Sequence, residues 1–230
     1  MNKILCIETA TEVCSVAISS QGELLALEEN HDGNAHASKL HNLVQKVLDS
    51  AGITLQDLDA IAVSKGPGSY TGLRVGVSAA KGYCYALGIP LIAINTLESL
   101  VRGQKFGEGE QSTTTLYVPM LDARRMEVYC AVFDIHAKMI KETEAKIIDE
   151  TSFADLLDEN EIYFLGNGAA KCKGMITHPH AKFLDNILCT AKGMVNAAFE
   201  SFQTKQFEDT AYFEPFYLKD FVGTTPKKLV

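Results

Sequence analysis

KILCIETATEVCSVAISSQGELLALEE, residues Lys3 to Glu29, decides the fold class. Lys3 to Thr9 is a short apolar run, Val13 to Ser19 alternates, and Glu23 to Glu29 follows the turn Ser20-Gln21-Gly22. Short β-type runs bounded by turn residues read as strands, here an antiparallel meander of three. The period then changes. Ser38 to Ala51 carries Leu40, Leu43, Val44, Val47, Leu48 and Ala51 at helical spacing and stops at Gly52. Ala60 to Ser64 is a buried-type strand, Tyr70 to Leu87 a helix closed by Gly88, and Pro90 to Ile94 a further strand. Three strands followed by helix-linked strands predict one mixed sheet with helices.

A second block repeats the pattern loosely. Gly103 to Thr115 is polar, contains Gly103, Gly107 and Gly109, and reads as a linker or long loop. Leu116 to Leu121 and Glu127 to Phe133 are strands around Asp122-Ala123-Arg124-Arg125, and Lys138 to Ile148 is a third. Thr151 to Leu157 is a short helix opened by Thr151 or Ser152, Ile162 to Leu165 a strand, and Thr190 to Phe202 a helix. The expected architecture is α/β with two lobes, 1–102 and 103–230, each a mixed sheet with helices. The last helix or tail is free to pack back on the first lobe.

Composition narrows the function classes. Apolar residues make up 47% of the 230 and charged residues 22%, values of a globular chain. The nearly charge-free stretch Gly82 to Thr96 is broken by Gly88, Pro90 and Asn95 and falls short of the ~20 apolar residues of a membrane span. Glu8 interrupts the N-terminal apolar run before it reaches signal-peptide length. The six cysteines, Cys6, Cys14, Cys84, Cys130, Cys172 and Cys189, are scattered without a Cys-x-x-Cys pair. They read as reduced thiols of a cytoplasmic protein. The formal net charge of −8 disfavours strong direct nucleic-acid binding.

Gly66-Pro67-Gly68-Ser69-Tyr70-Thr71-Gly72 lies between a buried strand and a helix. Two readings stay open. Free amides at the helix start can hold an anion, with Glu8, Thr9, Gly66, Gly68, Ser69, Thr71 and Gly72 as the candidate nucleotide loop. Alternatively the segment is a tight turn with Ser69 as helix cap. On the helix that follows, Thr71, Arg74, Ser78 and Lys81 occupy a polar stripe only roughly 80° wide. So small a polar face means that the helix is buried inside one fold or that its second apolar side meets another subunit. His36 and His41 lie about 140° apart on a helix and do not share an ion. They read as surface or capping residues, and His178-Pro179-His180 as structural. Glu8, Asp122 and Glu127 stand at strand ends, as general acids or as hydrogen-bonded turn residues. No nucleophile elbow occurs.

Ile7-Glu8-Thr9-Ala10-Thr11 with Cys14-Ser15-Val16-Ala17 resembles the opening of the sugar kinase, Hsp70 and actin superfamily. Gly66 to Gly76, Asp122-Ala123-Arg124-Arg125-Met126-Glu127-Val128-Tyr129 and Glu214-Pro215-Phe216-Tyr217-Leu218 together resemble the bacterial TsaB family, formerly YeaZ. The resemblance implies a noncatalytic, glycoprotease-like subunit of the tRNA threonylcarbamoyladenosine machinery, with no catalytic residue, metal or cofactor of its own. Its partners would be TsaD, the catalytic paralogue, and TsaE, an ATPase subunit, with ATP used by the complex and tRNA held mainly by the other subunits. In isolation it would be a homodimer. The resemblance also implies that the first two helices make the partner contact. That selects Leu40, Leu43, Val44, Val47, Leu73, Arg74, Gly76, Val77, Ala80 and Tyr83 as interface residues. An autonomous phosphotransferase or ATPase of the same superfamily is the alternative; Glu8 in place of the usual aspartate weighs against it.

Overall fold

The computed structural model describes residues 2–33, 36–104 and 114–219. Strands β1 (Lys3–Glu8), β2 (Cys14–Ser20) and β3 (Glu23–Asn30) form the expected meander. Helix α1 (His36–Ala51) leads to β4 (Ala60–Gly66), α2 (Tyr70–Leu87), β5 (Leu91–Asn95) and α3 (Thr96–Arg102). The second block holds β6 (Thr115–Asp122), β7 (Glu127–Phe133), β8 (Met139–Ile147), α4 (Ala154–Leu157), β9 (Glu161–Leu165), β10 (Ala181–Phe183) and α5 (Val195–Gln203).

These strands make two five-stranded sheets, ordered β3-β2-β1-β4-β5 and β10-β9-β6-β7-β8. β1 runs antiparallel to β2 and parallel to β4. β6 runs antiparallel to β7 and parallel to β9. Each sheet is therefore a meander extended by parallel strands from its first member, and the two-lobed expectation holds. The repeat is one of topology, which is why it is faint in the sequence.

The cores show how the lobes interlock. On one face of the first sheet, Leu5, Ile7, Val16 and Ile18 pack under α1 and α2. On the other face, Ile4, Cys6, Ala17 and Ile92 pack against Met194, Val195 and Ala198, so α5 returns from the second block to cover the first sheet. In exchange, Leu97, Leu100 and Val101 of α3 pack on Tyr117, Leu121 and Phe133 of the second sheet. Where these crossing segments meet, a Cβ on Gly193 would lie 2.1 Å from the Ser99 carbonyl oxygen. Arg102 bonds both Glu98 (2.8 Å) and Glu200 (3.0 Å) across the same joint.

Several expectations shift. Thr115 opens β6 instead of closing the linker, and 105–113 lies outside the described residues. The short helix begins at Ala154 after Phe153 at φ 65°, because the Ser152 hydroxyl bonds Asp149 (2.9 Å) and caps no helical amide. Residues 191–194 form a 3-10 turn before α5. Helix α3 has no counterpart among the expected elements; Asn95 caps it at Leu97 N (2.8 Å), and Arg102 and Gly103 end it.

Candidate functional site

A cleft of about 860 Å³ runs between the lobes. The first lobe supplies the β1–β2 turn, the start of α1 and the Pro67–Gly72 loop; the second supplies Leu121–Arg124, Tyr129 and Asn167. Phe216 to Lys219 of the tail form a further wall.

The glycine loop is shaped mainly by what the chain packs against it. A Cβ on Gly68 would come within 2.5 Å of the Ala10 carbonyl oxygen, one on Gly72 within 2.1 Å of the Thr9 carbonyl oxygen, and one on Gly76 within 2.2 Å of Thr9 Oγ1. The Thr9 hydroxyl donates to the Gly72 carbonyl (2.8 Å), and Ser69 N donates to Ala10 O (2.7 Å). Glycine spacing thus lets the start of α2 cross the end of β1 in direct contact. Ser69 is the helix cap, its hydroxyl accepting from Gly72 N at 3.2 Å. Of the candidate loop residues, Gly68, Ser69, Thr71 and Gly72 line the cleft. Glu8, Thr9 and Gly66 do not: Glu8 and Thr9 are fully buried, and Gly66 lies under the Phe216 carbonyl.

Glu8 accepts from Ala10 N (2.7 Å) and from the Cys189 thiol (3.3 Å). Burial pushes its carboxyl above the ordinary range, against the lowering effect of these hydrogen bonds. Burial and the neighbouring Glu8 push the Cys189 thiol well up as well. Cys189 is a contact the sequence did not flag, since 181 residues separate it from Glu8. All six cysteines are free and buried.

On the opposite wall, the β6–β7 turn holds Arg124 and Arg125 at φ 71° and 50°, with Arg124 N bonded to Asp122 (2.8 Å). Burial raises the Asp122 carboxyl, but hydrogen bonds from Lys171 and the Arg124 amide outweigh it and the net shift is down. Glu127 meets Lys219. Asn167 reaches across the cleft to Glu12 (2.8 Å). Asp122 and Glu127 are thus paired turn residues, the blander of the two sequence readings. His36 is buried and bonds the Thr11 carbonyl (2.8 Å), which corrects its surface reading; exposed His41 bonds the Tyr83 hydroxyl (2.7 Å). His180 bonds the Leu157 carbonyl (2.8 Å). No group of three metal-ligating side chains occurs among the described residues. No helix among them is long and apolar enough to cross a membrane.

The expected interface residues divide by exposure. Leu40, Leu43, Val44, Val47, Leu73, Val77 and Ala80 are buried in their own lobe, and Gly76 is filled by Thr9. The sheet takes both apolar stripes because its upper face has room for two helices side by side. Of the expected interface residues only Arg74 is exposed, with Tyr83 half-buried; on α2, Thr71, Ser78, Gly82, Tyr85 and Ala86 also face outward.

Comparison with known proteins fits this geometry. The family model described as TsaD, tRNA N6-adenosine threonylcarbamoyltransferase, matches residues 30–230. The chain is 35% identical over 151 residues to the tRNA threonylcarbamoyladenosine biosynthesis protein TsaB of Escherichia coli, covering 64% of this chain and 63% of that protein. With TsaB of Bacillus subtilis it shares 28% over 198 residues, 85% of this chain and 80% of that one. The solved YeaZ of Pseudomonas aeruginosa superposes with a TM-score of 0.80 at 26% identity, covering 95% of this chain and all (100%) of that one. The match to the E. coli relative thus spans a little under two thirds of its length. The chain belongs to the family this model describes, and within it to the TsaB (YeaZ) proteins.

Proposed function

We propose that this chain serves tRNA threonylcarbamoyladenosine synthesis as a noncatalytic scaffold subunit. It binds the catalytic paralogue TsaD and, with the ATPase TsaE, supports threonylcarbamoyl transfer to N6 of adenosine 37 in tRNAs reading codons that begin with A. ATP is used by the complex, tRNA is held through the other subunits, and the setting is the cytoplasm. The observation that carries this reading is the state of Glu8. The acid at the position of the superfamily's catalytic aspartate has no exposed surface and is turned onto Ala10 N and Cys189. A group that acts on a phosphoryl centre must reach it within hydrogen-bond distance. The names of the relatives support the pathway.

The partner surface in this reading is the outward strip of α2 with the adjoining edge of α1, centred on Arg74 and Ser78 and bordered by the His41–Tyr83 pair. In isolation the same strip joins two copies about a two-fold axis. The test is capture of a purified TsaD-family protein by Arg74→Glu and Ser78→Arg variants, beside an exposed control, Lys138→Leu. Binding at least about tenfold weaker than the control is expected, the loss of ~1.4 kcal/mol. Capture equal to the control by both folded variants overturns the surface. ATP turnover by the chain alone that survives repurification and disappears in Glu8→Ala overturns the noncatalytic reading in favour of an autonomous phosphotransferase.

A further inference from the structure

The lobes are joined firmly at one end, where α3 and α5 exchange sheets and Gly193 lies against Ser99. At the other end the cleft opens, and there the described tail crosses it. After α5 the chain bonds β5 through Glu208 N to Leu91 O (2.9 Å). It is next pinned to α2, where the Lys81 ammonium donates to the carbonyls of Ala211 (3.1 Å) and Phe213 (3.0 Å). The Phe213 side chain packs on the first lobe's core. Phe216 N donates to Lys65 O (2.7 Å), in a position open only because Gly66 has no Cβ: one there would lie 2.6 Å from Phe216 O. Tyr217 packs on Tyr70 with centroids 4.8 Å apart. Two residues later the chain reaches the other lobe, where the Lys219 ammonium pairs with Glu127 and lies 6.0 Å over the Tyr129 ring.

We infer that the segment from Glu208 to Lys219 is a strap across the mouth of the cleft, anchored along the first lobe and latched to the second by Lys219, and that it sets how far the lobes close. The anchors are unequal. On the first lobe there are four backbone attachments, a buried Phe213 and an aromatic pair. On the second there is one partly exposed ion pair with one ring contact. Exposed ion pairs are weak and screened by salt, typically below about 1 kcal/mol. The Lys219 latch is therefore the end that releases, leaving the rest of the strap on the first lobe. Apart from the strap, the Asn167–Glu12 hydrogen bond also spans the mouth. It is exposed; Asn167 Oδ1 accepts from Asp122 N (3.1 Å) on the second lobe, and on the first lobe the link ends on the Glu12 side chain.

The experiment uses the full chain with spin labels on cysteines introduced at exposed Lys46 of α1 and Asp155 of α4. The six native cysteines are buried and stay unlabelled. Interlobe distances are read by double electron–electron resonance. Lys219→Glu, which sets like charges together, is expected to lengthen the mean distance and widen its distribution. The charge-swapped double variant Lys219→Glu/Glu127→Lys is expected to restore the parent distribution. Phe216→Pro, which removes the amide that bonds Lys65 O, is expected to act like Lys219→Glu without rescue by the swap. Lys173→Glu breaks a more exposed lysine–carboxylate pair, with Asp185, inside the second lobe and is expected to change nothing. Parent-like distributions in both Lys219→Glu and Phe216→Pro, with circular dichroism showing folded protein, overturn the strap. So does a Lys173→Glu change as large as theirs, or a double variant that fails to restore the distance.

Discussion

At the residue scale, two glycines six residues apart on the same helix, Gly76 and Gly82, carry opposite expectations. Gly76 faces Thr9 at 2.2 Å from an added Cβ, whereas an added Cβ on Gly82 meets nothing within 4 Å. Gly76→Ala therefore overpacks the α2–β1 crossing and should cost ~1–3 kcal/mol. Gly82→Ala should stabilise by roughly 0.5–1 kcal/mol, since glycine is costly inside a helix. Urea denaturation of the two variants checks the sign of each. Glu8 makes a second prediction. Its folded-state carboxyl is raised from 4.5, so between that value and its folded value the native state binds more protons than the unfolded one. Stability must then fall as pH rises from about 4.5 through the folded value, the reverse of a salt-bridged carboxylate. Glu8→Gln should flatten that part of the stability–pH curve; an unchanged slope would show that Glu8 does not titrate abnormally.

At the element scale, α2 was readable to the residue. Ser69 before it and Gly88 after it, at φ 66°, are the cap and stop that local chemistry demands. Ser69→Ala should cost about 0.5–2 kcal/mol by thermal melting, with no change in the cleft's other walls. Its surroundings were less readable. The narrow polar stripe fitted either a subunit contact or a buried helix. The structure packs Val77, Ala80 and Cys84 on the first sheet and beside α1, leaves Gly82, Tyr85 and Ala86 exposed, and gives half-buried Lys81 to the tail carbonyls. Sequence periodicity reports how much of a helix is covered, not by what. Helix α3 shows the converse failure: Asn95, Glu98, Arg102 and Gly103 mark its ends, but seven residues are too few for a period to stand out.

At the scale of the whole molecule, the exchange of α3 and α5 makes each lobe depend on the other. Residues 1–102 expressed alone would leave Ile4, Cys6, Ala17 and Ile92 without Met194, Val195 and Ala198 over them. That fragment should lack a cooperative thermal transition, while the full chain should show one, with calorimetric and van't Hoff enthalpies in agreement. Cooperative unfolding of the isolated fragment would show that the first sheet does not need its returning helix.

What the amino-acid sequence determined by itself is local: the meander of β1 to β3, the caps and span of α2, and strand β7 to the residue. Each depends on periodicity and turn chemistry within a few neighbours. The glycines of residues 66–76 were visible too, but their purpose was not. Gly68, Gly72 and Gly76 answer to Thr9 and Ala10, and Gly66 to Phe216, partners that no spacing rule connects to them. The burial of Glu8 under Cys189, the return of α5 and the strap across the cleft were likewise settled only in three dimensions. Contacts between residues far apart in the chain depend on how sheets and helices stack, and a local pattern records the demand for a partner without naming it.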